Sequence, residues 1–319
     1  MPNDSRVVVV TGASAGVGRA IAHEFGRHGA KVALIARGRE ALEQVKFEIE
    51  QLGGEAFVAV ADVSSWDKVL QASQDILAQW GHIDVWVNNA MVSVFAPVAE
   101  TTAEEYRRVT EVTYLGYVHG TLAALQHMRA RSQGAIIQIG SALAYRSIPL
   151  QSAYCAAKHA ILGFTESLRV ELLHDKSPIT VTMVELPAVN TPQFRWVRSK
   201  LPNKPQPVPP IFQPEVVARA VYWVSHERLR ELNVAFPAWK AIFAEKIAPS
   251  VADRYLATNG YRAQQTDELA PPHRDDNLYH PLPRLATTHG DFDSRSRTKS
   301  VWFWLIRMRH RLLRSVALE

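Results

Sequence analysis

Short apolar runs rich in valine and isoleucine alternate along this chain with segments of helical spacing, and few folds accommodate that order. Residues 6–10 read Arg-Val-Val-Val-Val, a short buried strand by its β-branched content. Val17, Ile21, Ala22 and Phe25 then share one helix face within Val17–His28. Lys31–Ala36, Ala56–Val60 and Ile83–Val87 read as further strands, with helices at Ala41–Leu52 and Trp66–Trp80 between them. A long helix over Ala103–Ala130, a strand at Gly134–Ile139, a helix at Ser152–His174 and a strand at Ile179–Leu186 continue the alternation. A helix at Pro214–Ser225 and a last strand at Val234–Pro237 complete it. Strands apolar on both faces, alternating with helices, imply an α/β fold: a doubly wound parallel sheet with helices on both sides.

The turn after the first strand reads Thr11-Gly12-Ala13-Ser14-Ala15-Gly16-Val17-Gly18. Glycines there let the backbone turn tightly and approach a pyrophosphate, which then faces a helix N-terminus. Gly12, Ser14, Gly16, Val17 and Gly18 are therefore candidate cofactor contacts. The strand-turn-helix setting is what separates this glycine triplet from a chance match.

With four further motifs, in order along the chain, the sequence resembles the short-chain dehydrogenase/reductase family. They are Ala61-Asp62-Val63, Asn88-Asn89-Ala90, Ser141 followed by Tyr154-Cys155-Ala156-Ala157-Lys158, and Pro187 through Thr191. The resemblance spans about residues 5–245. It implies a Rossmann fold and a nicotinamide cofactor, with Asp62 and Val63 at the adenine and Asn89 and Ala90 along the cleft. It further implies Pro187, Val189 and Thr191 in a loop closing on the nicotinamide, and Lys158 on the nicotinamide ribose. Family members are commonly dimers or tetramers built through helices that correspond here to 103–130 and 152–174, so a homodimer or homotetramer is expected.

The end of the second strand faces the adenosine ribose in such folds, where an acid repels a 2′-phosphate and an arginine attracts it. Here the residues are Ala36 and Arg37, with Arg39 close behind and no acid. Arg37 carries a planar guanidinium suited to a bidentate phosphate contact, so NADP(H) is expected over NAD(H).

Tyr154 and Lys158, four apart, share a helix face. Tyrosine ordinarily titrates near pH ~10, and a nearby ammonium is expected to lower that value. Tyr154 would then give a proton to a carbonyl oxygen or take one from an alcohol, while Ser141 hydrogen-bonds the same oxygen. Ser141, Tyr154 and Lys158 are the candidate catalytic residues. Two departures from the family stand out. Thr113 occupies the place of an asparagine that in many members belongs to a water relay to the lysine, and it lacks the amide donors. Met91 replaces the glycine after Asn88-Asn89-Ala90, and Ala188 replaces one often found after the loop proline.

Composition bounds the rest. The chain has 319 residues, 47% hydrophobic and 21% charged, which excludes a disordered or collagen-like protein. A single cysteine, Cys155, excludes a disulfide framework and a cysteine-built zinc site. Cys155 itself reads as a small buried hydrophobe. His273, His280 and His289 lack zinc-ligand spacing, so no metal is expected. Neither a secretory leader nor a run of about 18 apolar residues is visible, and a cytoplasmic protein is expected, with peripheral membrane contact an alternative. The net charge is +5, yet Arg295, Arg297, Lys299, Arg307, Arg309, Arg311 and Arg314 crowd residues 294–318 without an acid. The body is thus slightly acidic, and nucleic acid is not an expected partner.

One catalytic domain is expected over 5–250, followed by a polar irregular extension over 251–299 and a basic amphipathic helix over 300–316. Phe194, Trp196, Val197, Leu201, Val208, Ile211 and Phe212 make the proline-rich loop 190–213 apolar. They suit either a lid over an apolar substrate or packing onto the fold. In the terminal helix, positions 301, 305, 308, 312 and 316 form a stripe flanked by arginines and tryptophans. That stripe suits an anionic membrane surface or docking against protein. The expectation for function is an NADP(H)-dependent oxidoreductase interconverting an apolar carbonyl compound and its alcohol. The alternative is a nucleotide-binding interaction or sensor protein with little turnover.

Overall fold

The computed structural model describes residues 4–316. Seven parallel strands form its central sheet: β1 (Val7–Thr11), β2 (Lys31–Ala36), β3 (Glu55–Val60), β4 (Val85–Asn88), β5 (Ala135–Ile139), β6 (Thr180–Glu185) and β7 (Glu231–Asn233). Their spatial order is β7-β6-β5-β4-β1-β2-β3. The chain reverses its direction of travel across the sheet between β1 and β4, and the crevice beyond the strand ends at such a reversal is where open α/β sheets bind ligands.

The strands divide their side chains between two cores with period two. Val8, Val10, Val32 and Leu34 face one side, together with α1 (Gly16–Arg27) and α2 (Arg39–Gln51). Val7, Val9, Ala33 and Ile35 face the other, with α3 (Trp66–Trp80). The last strand is Glu231–Asn233, a few residues earlier than expected; Val234 and Ala235 are buried beyond it and Phe236 starts a helix.

The long helix expected over 103–130 is interrupted. It comprises α4 (Ala103–Val109), a π-helical stretch over Thr110–Leu115, and α5 (Gly116–Arg131). The wider turn falls where Thr113 is tied to a neighbouring loop: its Oγ1 donates to the Val92 carbonyl (2.8 Å) and accepts from the Val92 amide (3.1 Å). Gly116 also meets Val63 so closely that a Cβ there would overlap it. Such local widening commonly marks functional stretches of helices.

Helix α6 (Ser152–His174) runs between β5 and β6, and α7 (Pro214–Val224) packs against α1. The stretch 251–299, expected to be irregular, instead begins within a helix. Helices α8 (Phe236–Ile247) and α9 (Pro249–Ala263) are followed by the strand Gln265–Leu269, which pairs antiparallel with Asn203–Pro205. A strap over residues 274–293 then crosses the C-terminal ends of the sheet strands, and α10 (Val301–Val316) ends the described chain. None of the described helices is long and apolar enough to cross a membrane.

Candidate active site

A cleft of about 510 Å³ opens beyond the C-terminal ends of the strands. Fifteen of the candidate site residues line it: Gly12, Ser14, Gly16, Val17, Arg37, Asp62, Val63, Asn89, Ala90, Ser141, Tyr154, Lys158, Pro187, Val189 and Thr191; the replacement residues Met91 and Ala188 join them. Gly18 stands behind the cleft. A Cβ there would overlap the Gly12 carbonyl and press on the Asn89 amide, so Gly18 lets α1 close onto the turn. Gly12 and Gly16 hold φ of +68° and +54°, a region other residues enter only under strain. The turn is braced from β4: the Asn89 Nδ2 donates to the Thr11 carbonyl (2.9 Å), and the Thr11 hydroxyl accepts from the amides of Asn89 and Ala90. Asn88 is wholly buried, bonded to Trp86, Thr121 and Gln138, and serves the core.

At the catalytic end, β5 delivers Ser141 and the first turns of α6 deliver Tyr154 and Lys158. Ser141 stands close enough to the Tyr154 phenol to favour its ionised form. Burial nonetheless pushes that phenol above its ordinary value, and Ser141 opposes the push only in part. The depression expected from Lys158 is not what dominates. The Lys158 Nζ lies 5.5 Å from the Tyr154 ring centre and donates instead to the Ile139 carbonyl (2.7 Å) and the Tyr117 hydroxyl (3.1 Å). Burial lowers Lys158 to about 7, against the opposing charge of Glu185. Cys155 is buried on the same helix, and burial raises its thiol.

Two residues here escaped the sequence reading. Tyr117 is fully buried on α5; its hydroxyl accepts from Lys158 and donates to the Ile139 carbonyl (2.9 Å). Glu185, buried at the end of β6, is held well above the usual carboxylate range, first by burial and then by Glu231. Its carboxylate oxygens find no close hydrogen-bond partner, and only the Ser141 amide approaches to favour the charged form. The only signal for Glu185 was an acid inside an otherwise apolar strand, two residues before Pro187. Tyr117 had none beyond its place one helical turn after Thr113. Thr113 spends its hydroxyl on Val92, and Tyr117 rather than Thr113 meets the lysine.

The adenosine end has a wall that no motif announced. The strap closes it with Asn277, Pro281, Leu282, Pro283 and Ala286. Arg37 donates to the carbonyls of Asn277 (2.6 Å) and Leu278 (3.3 Å). Arg108 donates to the Leu278 carbonyl (3.0 Å) and to Asp62 (2.6 Å), and holds that carboxyl below its ordinary value although burial pulls the other way. Asp62 also accepts from the Ser64 amide and hydroxyl. The Gly16 amide donates to the Thr287 carbonyl (2.9 Å), and Arg19 to that of Ala286 (2.6 Å). Asn190 and Arg195 fasten the far end to Asp293 and Asp291. His289 pairs with Glu215.

The residues of the apolar loop divide between packing onto the fold and lining the cleft. Val197 and Leu201 are buried with Phe95 and Leu150, and Ile211 and Phe212 are buried as well. Phe194, Trp196 and Val208 line the cleft with Pro207, Pro209 and Pro210.

A family model described as short chain dehydrogenase matches residues 6–202. The "Uncharacterized oxidoreductase YxnA" of Bacillus subtilis is 32% identical over 276 residues, covering 86% of this chain and 78% of that one. A "Fatty acyl-CoA reductase" of Acinetobacter baylyi is 34% identical over 71% of this chain and 75% of its own. Among solved structures, an actinorhodin polyketide ketoreductase variant with NADPH superimposes with a TM-score of 0.65 at 29% identity, covering 73% of this chain and 97% of that one. An alcohol dehydrogenase from Thermococcus sibiricus complexed with 5-hydroxy-NADP gives 0.63 at 28%, covering 72% and 96%.

Proposed function

The chain belongs to the short-chain dehydrogenase/reductase family and is an oxidoreductase of that kind; from this premise we propose that it interconverts an apolar carbonyl compound and its alcohol with NADP(H). The observation that carries the reading is the convergence of Ser141, Tyr154 and Lys158 at one end of a cleft whose other end is a glycine turn and Arg37. The residues fit a dinucleotide. Gly12 and Gly16 take backbone angles that bring the chain against the cleft, and Arg37 has two of its five N–H donors on the strap, leaving three for a phosphate. The dinucleotide-bound neighbours, both named with an NADP form, support the same preference.

A bound nicotinamide dinucleotide supplies the hydride. Tyr154, kept protonated by burial, gives its Oη proton to the substrate oxygen. Ser141, beside that phenol, hydrogen-bonds the same oxygen and holds it within reach. Lys158 donates into the Ile139 carbonyl and Tyr117 hydroxyl, which fixes its ammonium beneath the tyrosine ring. Phe194, Trp196 and Val208 exclude water and favour an apolar chain, a preference consistent with the relative named for fatty acyl-CoA.

The test is NADPH oxidation across a panel of long-chain aldehydes, ketones and acyl thioesters. Wild type is expected to turn over at least one class. Tyr154→Phe should lose about 10²–10⁴-fold in kcat while binding NADPH as before. Full turnover by the Phe variant would refute the assignment of Tyr154. NADPH binding without turnover on any class would favour the interaction-protein reading.

A further inference from the structure

Among its described side chains, helix α10 meets α7 through one face, with Trp302 at the edge against α8. Phe303 is buried, edge-on to Trp223 of α7 at 5.6 Å, and Ile306 packs on the same core. The Arg307 guanidinium lies over the rings of Phe303 and Trp223, and the His310 ring meets Trp223 at 5.5 Å. Positions 303, 306, 307 and 310 form a single helix face. The stripe expected from the sequence is a different face. Val301, Leu305 and Met308 are 71, 49 and 42% exposed, and Trp304 beside them is 57% exposed. Docking onto its own domain therefore leaves that stripe outward. Val316, the last position of the stripe, lies outside the described side chains.

Half-buried Trp302 joins the outward surface of α10 to exposed rings of α8. Trp302 lies 5.3 Å from Phe236 and 5.8 Å from Trp239, and Trp239 stacks on Phe243 at 5.1 Å. Phe236, Trp239 and Phe243 are all exposed. The charge around these rings is positive. Helix α10 carries Arg309 and Arg311 and no acid. The two acids of α8 and α9, Glu245 and Asp253, are both bonded to Arg146, and Glu227 of the neighbouring turn faces His310.

We propose that the joined surface of α10 and α8 binds an anionic lipid bilayer, with Trp304, Leu305 and the Trp239 cluster at the headgroup–acyl boundary and Arg309 and Arg311 on lipid phosphates. Exposed indoles beside arginines are the chemistry such an interface takes. A second copy of this chain fits less well, because two such surfaces face to face oppose like charges. The inference stands apart from the proposed activity, since it concerns neither the cleft nor its residues.

The test is co-sedimentation of the full chain with phosphatidylcholine vesicles, with and without phosphatidylserine. Wild type should pellet with the anionic vesicles and release with added salt. Arg309→Gln with Arg311→Gln should weaken partitioning about 25-fold, at roughly fivefold per arginine. Trp304→Glu with Leu305→Glu should abolish it. All four positions point away from the core, so an unchanged unfolding midpoint certifies each variant. Failure of wild type to pellet with anionic vesicles overturns the proposal, as does wild-type binding by the Glu variant. Sedimentation velocity in the absence of lipid supplies the remaining arm: a dimer that the Glu pair dissociates would make this surface a self-interface and overturn the proposal.

Discussion

The sheet and the strap are held in place by different kinds of contact. Each sheet strand buries alternating side chains in two cores, so its position follows from a pattern written within a few residues. The strap is fixed by backbone carbonyls accepting from Arg37, Arg108, Arg19 and the Gly16 amide, residues lying 170 to 271 positions away in sequence. Its one wholly buried apolar anchor is Leu278, seated in the same core as α3. A local pattern announces itself to a reader of the sequence. A carbonyl has no side-chain signature, and the strap's polar composition resembles a solvated linker.

The sharpest way to break this contrast is to remove one buried leucine from each region. Leu34→Ala in β2 and Leu278→Ala in the strap are each expected to cost about 2–5 kcal/mol, read from urea unfolding. A loss below about 0.5 kcal/mol at Leu278, the range of ordinary surface changes, would mean the strap is not part of the cooperative unit.

Loosening the strap without touching the core gives the next effect. Asp291→Ala with Asp293→Ala removes its bonds to Arg195 and Asn190. NADPH dissociation, followed by stopped-flow fluorescence, is expected to quicken about tenfold, the factor that corresponds to ~1.4 kcal/mol. An unchanged rate would show that the strap does not govern cofactor exchange.

A pH-dependent effect separates Lys158 from its surroundings. Burial lowers this lysine from 10.5 to about 7, so above that point the unfolded chain binds the proton and the folded one does not. Stability contributed at this site therefore rises with pH from about 7 toward 10.5. Lys158→Met should flatten the rise in unfolding measurements across that range. Glu185, held above the usual carboxylate range, has the opposite sign: it costs stability as pH climbs above 4.5. Because the charge of Glu185 favours the charged lysine, Glu185→Gln should move the Lys158 titration downward, visible as a shifted limb in the pH profile of kcat/KM.

Much of this was legible in the residues. The β1 valines, the glycine turn and the Tyr154–Lys158 spacing each carry a local geometric requirement, and the cleft gathers all but one of the residues so identified. Gly18, a candidate cofactor contact by its spacing, stands outside the lining, because glycine spacing alone does not separate a residue facing the ligand from one that admits the neighbouring backbone. The electrostatics were not legible. Whether Lys158 depresses Tyr154 depends on how far both are desolvated and on whether Tyr117 and Ile139 capture the ammonium, and neither follows from a four-residue spacing. The π-helical stretch at Thr113 was hidden for the same reason, since it answers to the Val92 backbone on a separate loop.

The central claim is that the cleft between the glycine turn and the strap holds NADP(H) with Arg37 on its phosphate. Titration of the chain with NADPH and NADH in parallel, for wild type and Arg37→Ala, tests it most directly. The account predicts that wild type binds NADPH at least about tenfold more tightly than NADH, and that Arg37→Ala erases the difference by weakening NADPH alone, the loss of a charge-assisted contact being about 1.5–3 kcal/mol. Equal affinities in wild type, or a preference that survives Arg37→Ala, would contradict it.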